Sequence, residues 1–105
     1  MALVITTATD EVLGEVISVS GEVDVSCAAE LREAIDATLE SAATRVTIDI
    51  AKVPYIDSTG IGVLVGAAHR AEEAGKELKV QNPQASVMRP LDLLGVAGEL
   101  GINVE

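Results

Sequence analysis

Residues 55–64, Tyr55-Ile56-Asp57-Ser58-Thr59-Gly60-Ile61-Gly62-Val63-Leu64, read as the end of a buried strand, a one-residue cap and the start of a helix. Upstream, Val46, Ile48 and Ile50 alternate with Thr47 and Asp49, the period of a half-buried strand over 46–50. Pro54 stops that strand, since it has no N–H for the ladder. Asp57 is well placed as N-cap, where its carboxylate can accept from the free N–H of Thr59 or Gly60. On that register Ile56 and Ile61 take the two positions of a hydrophobic staple. Ser58 becomes the first helical residue. Its hydroxyl lies at the positive end of the helix dipole, a natural place to carry a phosphate.

The helix is expected over 58–74, with Gly75 just past its end. At about 100° per residue, Ile61, Leu64, Val65 and Ala68 form the expected core stripe, with Glu72 on the same side. Thr59, Gly62, Val63 and Gly66 fall on the opposite side. Two glycines inside a helix cost roughly 1 kcal/mol each relative to alanine. A face that carries them suggests a close approach of backbone, from a partner protein or from another element of the same domain.

The rest of the chain fits around this unit. Residues 3–7 and 13–20 read as two strands of an antiparallel hairpin, turning at Asp10-Glu11. Gly21-Glu22-Val23-Asp24 is a loop, and Asp24 or Ser26 can cap the next helix. There Ala28, Leu31, Ile35, Leu39 and Ala42 follow the helical period, with Glu30, Arg32, Glu33, Asp36 and Glu40 outside. Leu78 and Val80 mark a short strand, and Asn82-Pro83 a turn. A third helix is expected from near Arg89, with Pro90 in its first turn, because mid-helix proline costs about 3 kcal/mol. Residues 102–104 can form a last edge strand. The order β-β-α-β-α-β-α-(β) implies an α/β fold: a mixed sheet of four or five strands, with helices packed mainly on one face. The 105 residues are expected to form one domain.

Composition narrows function. Hydrophobic residues make up 49% of the chain, yet there is no Phe or Trp and one Tyr, so the core is aliphatic. That argues against aromatic stacking on single-stranded nucleic acid. Seventeen acids against seven bases give a net charge of −10. Residues 1–50 hold ten acids and two bases, a net of −8. Such a field repels phosphate backbones, so no direct nucleic-acid contact is expected, and it favours a partner with a basic surface. Cys27 is the single cysteine, so no internal disulfide is possible; it reads as a small core residue. The N-terminus has no basic region ahead of an apolar run, and no run reaches the ~20 residues of a membrane span. A cytoplasmic location without membrane attachment is expected.

Enzyme chemistry is poorly supported. His69, the single histidine, follows Ser58 by eleven residues, about 16 Å along one helix, too far for a nucleophile–base pair. One Cys and one His without paired spacing give no metal site. Gly60-Ile61-Gly62 lacks the lysine and later glycine of a phosphate loop. Asp57-Ser58-Thr59-Gly60 is similar to the Asp-Ser/Thr-Gly signature of aspartic proteases. However, an extra residue separates Asp57 from Gly60, and a helical period follows where that fold is nearly all strand. No enzyme activity and no cofactor are expected.

The central segment, with the Gly21-Glu22-Val23-Asp24 loop and the Asn82-Pro83 turn, resembles the STAS domain family of anti-sigma factor antagonists and sulfate-transporter domains. The resemblance spans essentially the whole chain, 1–105. Its free-standing length is similar to the antagonist branch. The resemblance implies that Ser58 is the phosphorylated residue, with Thr59 as a second acceptor, and that Asp24 supports binding or phosphorylation. It further implies that the unphosphorylated form binds an anti-sigma factor with serine kinase activity and frees a sigma factor. Phosphorylation would end that binding and a serine phosphatase restore it. Together with the glycine-bearing face, the candidate partner-binding set is Asp24, Asp57, Ser58, Thr59, Gly60, Gly62, Val63 and Gly66. Two other readings stay open: a STAS interaction module of another signalling complex, and a small-ligand or nucleotide-binding regulatory domain.

Overall fold

A computed structural model describes residues 3–102 of the chain. Seven elements follow in order: β1 (Val4–Asp10), β2 (Gly14–Ser20), α1 (Ala28–Leu39), β3 (Arg45–Lys52), α2 (Ser58–Glu73), β4 (Glu77–Gln81) and α3 (Ala85–Leu93). The strands form one mixed sheet in the order β1-β2-β3-β4. β1 and β2 are antiparallel, as the short hairpin requires, while β3 runs parallel to both β2 and β4. Helical crossovers impose that parallel sense.

The register separates the two faces of the sheet. Ile17, Ile48 and Val80 lie in one cross-strand row, and Ser18, Asp49 and Gln81 in the next. The first row is buried and the second is half-buried. Leu31 and Ile35 of α1, Leu64 of α2, and Val87 and Leu91 of α3 join the buried rows in one aliphatic core. Each such fully buried side chain contributes roughly 1.5–3 kcal/mol of transfer free energy. All three helices therefore cover the apolar face, as the pattern of residues implies.

The hairpin turn is built by Asp10, whose Oδ1 accepts from the N–H groups of Val12 and Leu13 at 2.8 and 2.9 Å. Gly14 closes it at φ +80°, where a Cβ would lie 2.2 Å from the Arg45 carbonyl oxygen. Only glycine fits there. The turn then folds over the polar face: Thr47 Oγ1 donates to the Leu13 carbonyl at 2.9 Å, which buries Thr47.

Four expectations are corrected. α1 ends at Leu39, so Ala42 lies beyond it. Its last carbonyl and that of Ser41 just beyond it are taken from outside: Lys76 Nζ donates to the oxygens of Leu39 and Ser41 at 2.5 and 2.6 Å. Neither Asp24 nor Ser26 caps α1 with its side chain; Cys27 holds the N-cap position, and the Asp24 carbonyl accepts from Cys27 and Ala28 N–H. α3 begins at Ala85, not near Arg89, and carries Pro90 inside it. The burial of Val87 and Leu91, four residues apart on one face, outweighs the backbone bond lost at Pro90. Finally, the core stripe of α2 is Gly60, Ile61, Leu64, Ala67 and Ala71, while Val65 and Ala68 are half-buried. The helix is rotated so that its smaller residues face inward, which brings its backbone closer to its neighbours. The edge strand expected over 102–104 lies, past Ile102, outside the described residues. Just before it, the Leu100 carbonyl accepts from Val80 N–H at 2.8 Å, so this segment flanks β4.

Candidate functional site

Two connections that are distant in sequence run side by side at one end of the sheet. The segment after β2 and the segment after β3 share a parallel bridge at Val23 and Ile56. Val23 N–H donates to the Tyr55 carbonyl and Asp57 N–H to the Val23 carbonyl, both at 3.0 Å. Gly21 N–H donates to the Lys52 carbonyl at 3.1 Å. Val23 and Ile56 point inward and are buried.

Asp57 sits at the junction. It holds extended backbone (φ −99°, ψ −178°), as an N-cap should. Its Oδ1 accepts from Gly60 N–H at 3.0 Å, and its Oδ2 from Val25 N–H at 3.1 Å. One carboxylate thus caps α2 and ties down the neighbouring loop. The staple residues Ile56 and Ile61 are both buried beneath the first turn.

Ser58 follows as the first residue of α2, and both it and Thr59 are exposed. The first N–H groups of a helix lack intrahelical partners, so an anion on Ser58 would meet free donors and the positive dipole end. Asp24 lies in the adjoining loop. Its Oδ1 accepts from Ser26 Oγ at 2.5 Å and from Ser26 N–H at 3.0 Å. The Ser26 hydroxyl first, then its N–H, hold the Asp24 carboxyl below its ordinary value, so it is ionised at neutral pH.

The glycines divide into three environments. A Cβ on Gly60 would lie 2.6 Å from Val23 Cγ1 and 2.7 Å from Ile56 Cγ1. Gly60 is therefore an internal packing residue, and its expected place on the partner face is corrected. Gly62 is exposed with open space above it. Over Gly66 lies Arg70, whose Nη1 would be 3.2 Å from an added Cβ. Arg70 is anchored to α1: its Nε donates to Asp36 Oδ1 at 3.0 Å, and Nη2 lies 2.7 Å from the same oxygen without a directed bond. At Gly66 the close neighbour is thus the chain's own α1–α2 seam. Val63, expected on the outer face, is half-buried against the core.

Asp24, Asp57, Ser58, Thr59 and Gly62 remain exposed or half-exposed, on the loop before α1 and the first turns of α2, which the Asp57 carboxylate joins. Val25 and Tyr55, absent from the expected set, stand in the same paired segments and are 73% and 50% exposed. The one sequence signal for Tyr55 was its being the sole aromatic residue. His69 is engaged elsewhere, with Nε2 3.5 Å from the Glu99 carboxylate. Among the described residues, no group of three His, Cys, Asp or Glu side chains could hold a metal ion. Nor is any helix among them long and apolar enough to cross a membrane.

The comparisons with known proteins agree with this architecture. Residues 7–102 match the family model described as "Mlab, STAS domain". The chain is 33% identical over 89 residues to the anti-sigma-B factor antagonist of Bacillus subtilis (strain 168), covering 85% of this chain and 81% of the relative. Its fold is similar to the crystal structure of an anti-sigma factor antagonist from Mycobacterium paratuberculosis, with TM-score 0.85, 22% identity and coverage of 98% and 86% of the two chains. It is also similar to the Bacillus cell-fate determinant SpoIIAA in its phosphorylated form, with TM-score 0.72, 18% identity and coverage of 97% and 93%. The chain belongs to the STAS domain family, and its similarity is to the anti-sigma factor antagonist branch.

Proposed function

We propose that this chain is an anti-sigma factor antagonist, a single cytoplasmic STAS domain that works by binding and not by catalysis. Its unphosphorylated form binds an anti-sigma factor that is also a serine kinase, and so releases a sigma factor. Phosphorylation of Ser58, with Thr59 as second acceptor, ends that binding, and a serine phosphatase restores it. Neither nucleic acid nor membrane is a direct partner.

The observation that carries this reading is the presentation of Ser58. It is an exposed hydroxyl on the first residue of α2, directly after a cap whose carboxylate accepts from both Gly60 and Val25, the latter in the loop that carries the ionised Asp24. A kinase can reach that hydroxyl without unfolding anything, and a partner can read the result on a rigid surface. SpoIIAA, of the same fold, has been solved in both unphosphorylated and phosphorylated forms. The test is incubation with the anti-sigma factors of the chain's own genome and ATP, followed by peptide mapping and binding measurement. Phosphate on Ser58 and weaker binding of the phosphorylated form are expected. Phosphate mainly on Ser26, or equal binding of both forms, would contradict the switch.

A further inference from the structure

The two edges of the sheet differ. At β4, Val80 N–H donates to the Leu100 carbonyl at 2.8 Å, so the chain meets that edge with its own backbone. β1 is the opposite edge. Alternate residues of an antiparallel edge strand turn their N–H and C=O groups away from their one neighbour. Among the described residues, none of Val4–Asp10 has a backbone partner outside β2. Sheets ordinarily blunt such an edge with lysine, proline or a bulge. β1 reads Val4-Ile5-Thr6-Thr7-Ala8-Thr9-Asp10, without lysine or proline, and its pairing with β2 runs without a register shift. Its β-branched residues favour continued pairing.

Beside this edge lies a groove of about 810 Å³ between β1 and α1. A row of side chains, and not a single small ion, would fill it. Leu3 and Ile5 line it from the strand side and Ala34 from the helix. Ile5 pairs with buried Val19, so it faces the helical side of the sheet. A strand added to β1 would place every second side chain on that side. Glu15, Glu30 and Glu33 also line the groove, and no lysine or arginine does. None of these three carboxylates has a cationic partner among the described residues. No residue of the Ser58 segment lines it.

These features select the occupant. A long basic side chain has an apolar stem for Leu3, Ile5 and Ala34, and a cation for the glutamates. A second copy of this chain fits badly. Antiparallel β1–β1 pairing turns the same face of both strands toward the helices, so the copy would bring Ile5 and Thr7 to the groove and no cation. Two chains of net charge −10 also repel.

We propose that the β1 edge and the β1–α1 groove form a second docking surface, which takes an extended segment of a partner protein as a fifth strand, with lysine or arginine at alternate positions pointing into the groove. Main-chain bonds supply affinity and the basic row supplies specificity. This surface goes beyond the Ser58 switch and does not depend on it.

The test is NMR titration of the isotope-labelled chain with a capped eight-residue peptide that alternates lysine and valine. Shifts of the Val4–Asp10 amides are expected, with the Ser58 and Thr59 amides unmoved. The double variant Glu30→Gln/Glu33→Gln, at two exposed positions, is expected to weaken binding about fivefold. The same peptide with glutamate in place of lysine is expected to leave the spectrum unchanged. Two further peptides carry N-methyl groups on every valine or on every lysine. Alternate amides of a strand point to the same side, so one of these two should keep its binding and the other lose it. Unmoved β1 amides at millimolar lysine–valine peptide overturn the proposal, as does equal binding of the glutamate peptide. Binding by both methylated peptides, or by neither, overturns strand pairing. Unchanged affinity in the double variant overturns the basic row. A chain that dimerises alone in sedimentation, with its β1 amides protected from exchange, puts a second copy at the edge and overturns the partner. Each of these results leaves the Ser58 switch standing.

Discussion

Val25 N–H donates to Asp57 Oδ2 at 3.1 Å across 32 positions of sequence. The same carboxylate caps α2 through Gly60 N–H. The loop bearing Asp24 and the helix bearing Ser58 thus share one acceptor, and neither can shift without disturbing the other.

Replacement of Asp57 should therefore do more than remove a helix cap. Asp57→Ala is expected to destabilise by about 1–2 kcal/mol, the upper part of the range for cap loss. For a domain of this size each kcal/mol lowers Tm by roughly 4–8 °C. Asp57→Asn keeps one side-chain oxygen and should lose less. Hydrogen exchange locates the effect: the Val25 and Gly60 amides should both be deprotected in Asp57→Ala. Deprotection of Gly60 alone would show that the loop is held by other contacts.

Two glycines two residues apart in α2 should respond oppositely to the same substitution. In both, alanine gains up to about 1 kcal/mol of helix propensity. At Gly62 the space is open, so Gly62→Ala should stabilise. At Gly60 the new methyl meets buried Val23 and Ile56, and overpacking of that kind costs typically 1–3 kcal/mol. Gly60→Ala should be destabilising by about 1 kcal/mol net. Gly62→Leu should keep the fold and impair partner binding, whereas Gly66→Leu must first displace the Arg70 guanidinium. Thermal melts check the signs; a stabilised Gly60→Ala would contradict the packing.

Asp24 links the site to pH. Its carboxyl titrates below the ordinary value of 3.8, chiefly through the Ser26 hydroxyl. A carboxyl with a depressed folded pKa contributes stability above its unfolded pKa, and that contribution is lost as pH falls through the folded value. The loss therefore falls below pH 3.8, and the anion persists at neutral pH. Ser26→Ala removes the largest cause and should raise the Asp24 pKa toward the ordinary value, as read by NMR titration of the carboxyl carbon. An unmoved titration would mean that the Ser26 hydroxyl is not the acting donor.

Ser58 carries the switch. Ser58→Ala should keep partner binding and stay locked in the active state, since it removes one hydroxyl and adds no bulk. Ser58→Glu should weaken binding less than phosphate does, because it supplies one charge and two oxygens against up to two charges and three oxygens. A coupling of ~3 kcal/mol corresponds to about a 150-fold loss for the phosphorylated form. A mimic with half that free energy loses about 12-fold. Calorimetry of the four forms measures this directly, and equal affinity of the phosphorylated and unmodified forms would leave a constitutive binding module.

Much of this molecule is local chemistry and was legible in the residues themselves. The alternation of Val46, Ile48 and Ile50 marked β3, Asp57 declared the cap, and Ser58 fell at the mouth of α2, because strand period and capping act over a few neighbouring residues. The motif around Ser58 pointed to the STAS family. What each glycine does was not legible, because a residue without a side chain has no local signature of what lies over it. Tertiary packing put Val23 against Gly60, left open space over Gly62, and tied Arg70, one helical turn after Gly66, to Asp36 of α1. It also turned α2 onto Ala67 and Ala71, and carried α3 through Pro90, because core burial outweighed helical amphipathicity and a missing N–H. The pairing of the segment bearing Asp24 and Val25 with the segment bearing Tyr55 and Ser58 rests on the Val23–Ile56 bridge and the Asp57 carboxylate. That contact spans 32 residues, and no periodicity within either segment records it.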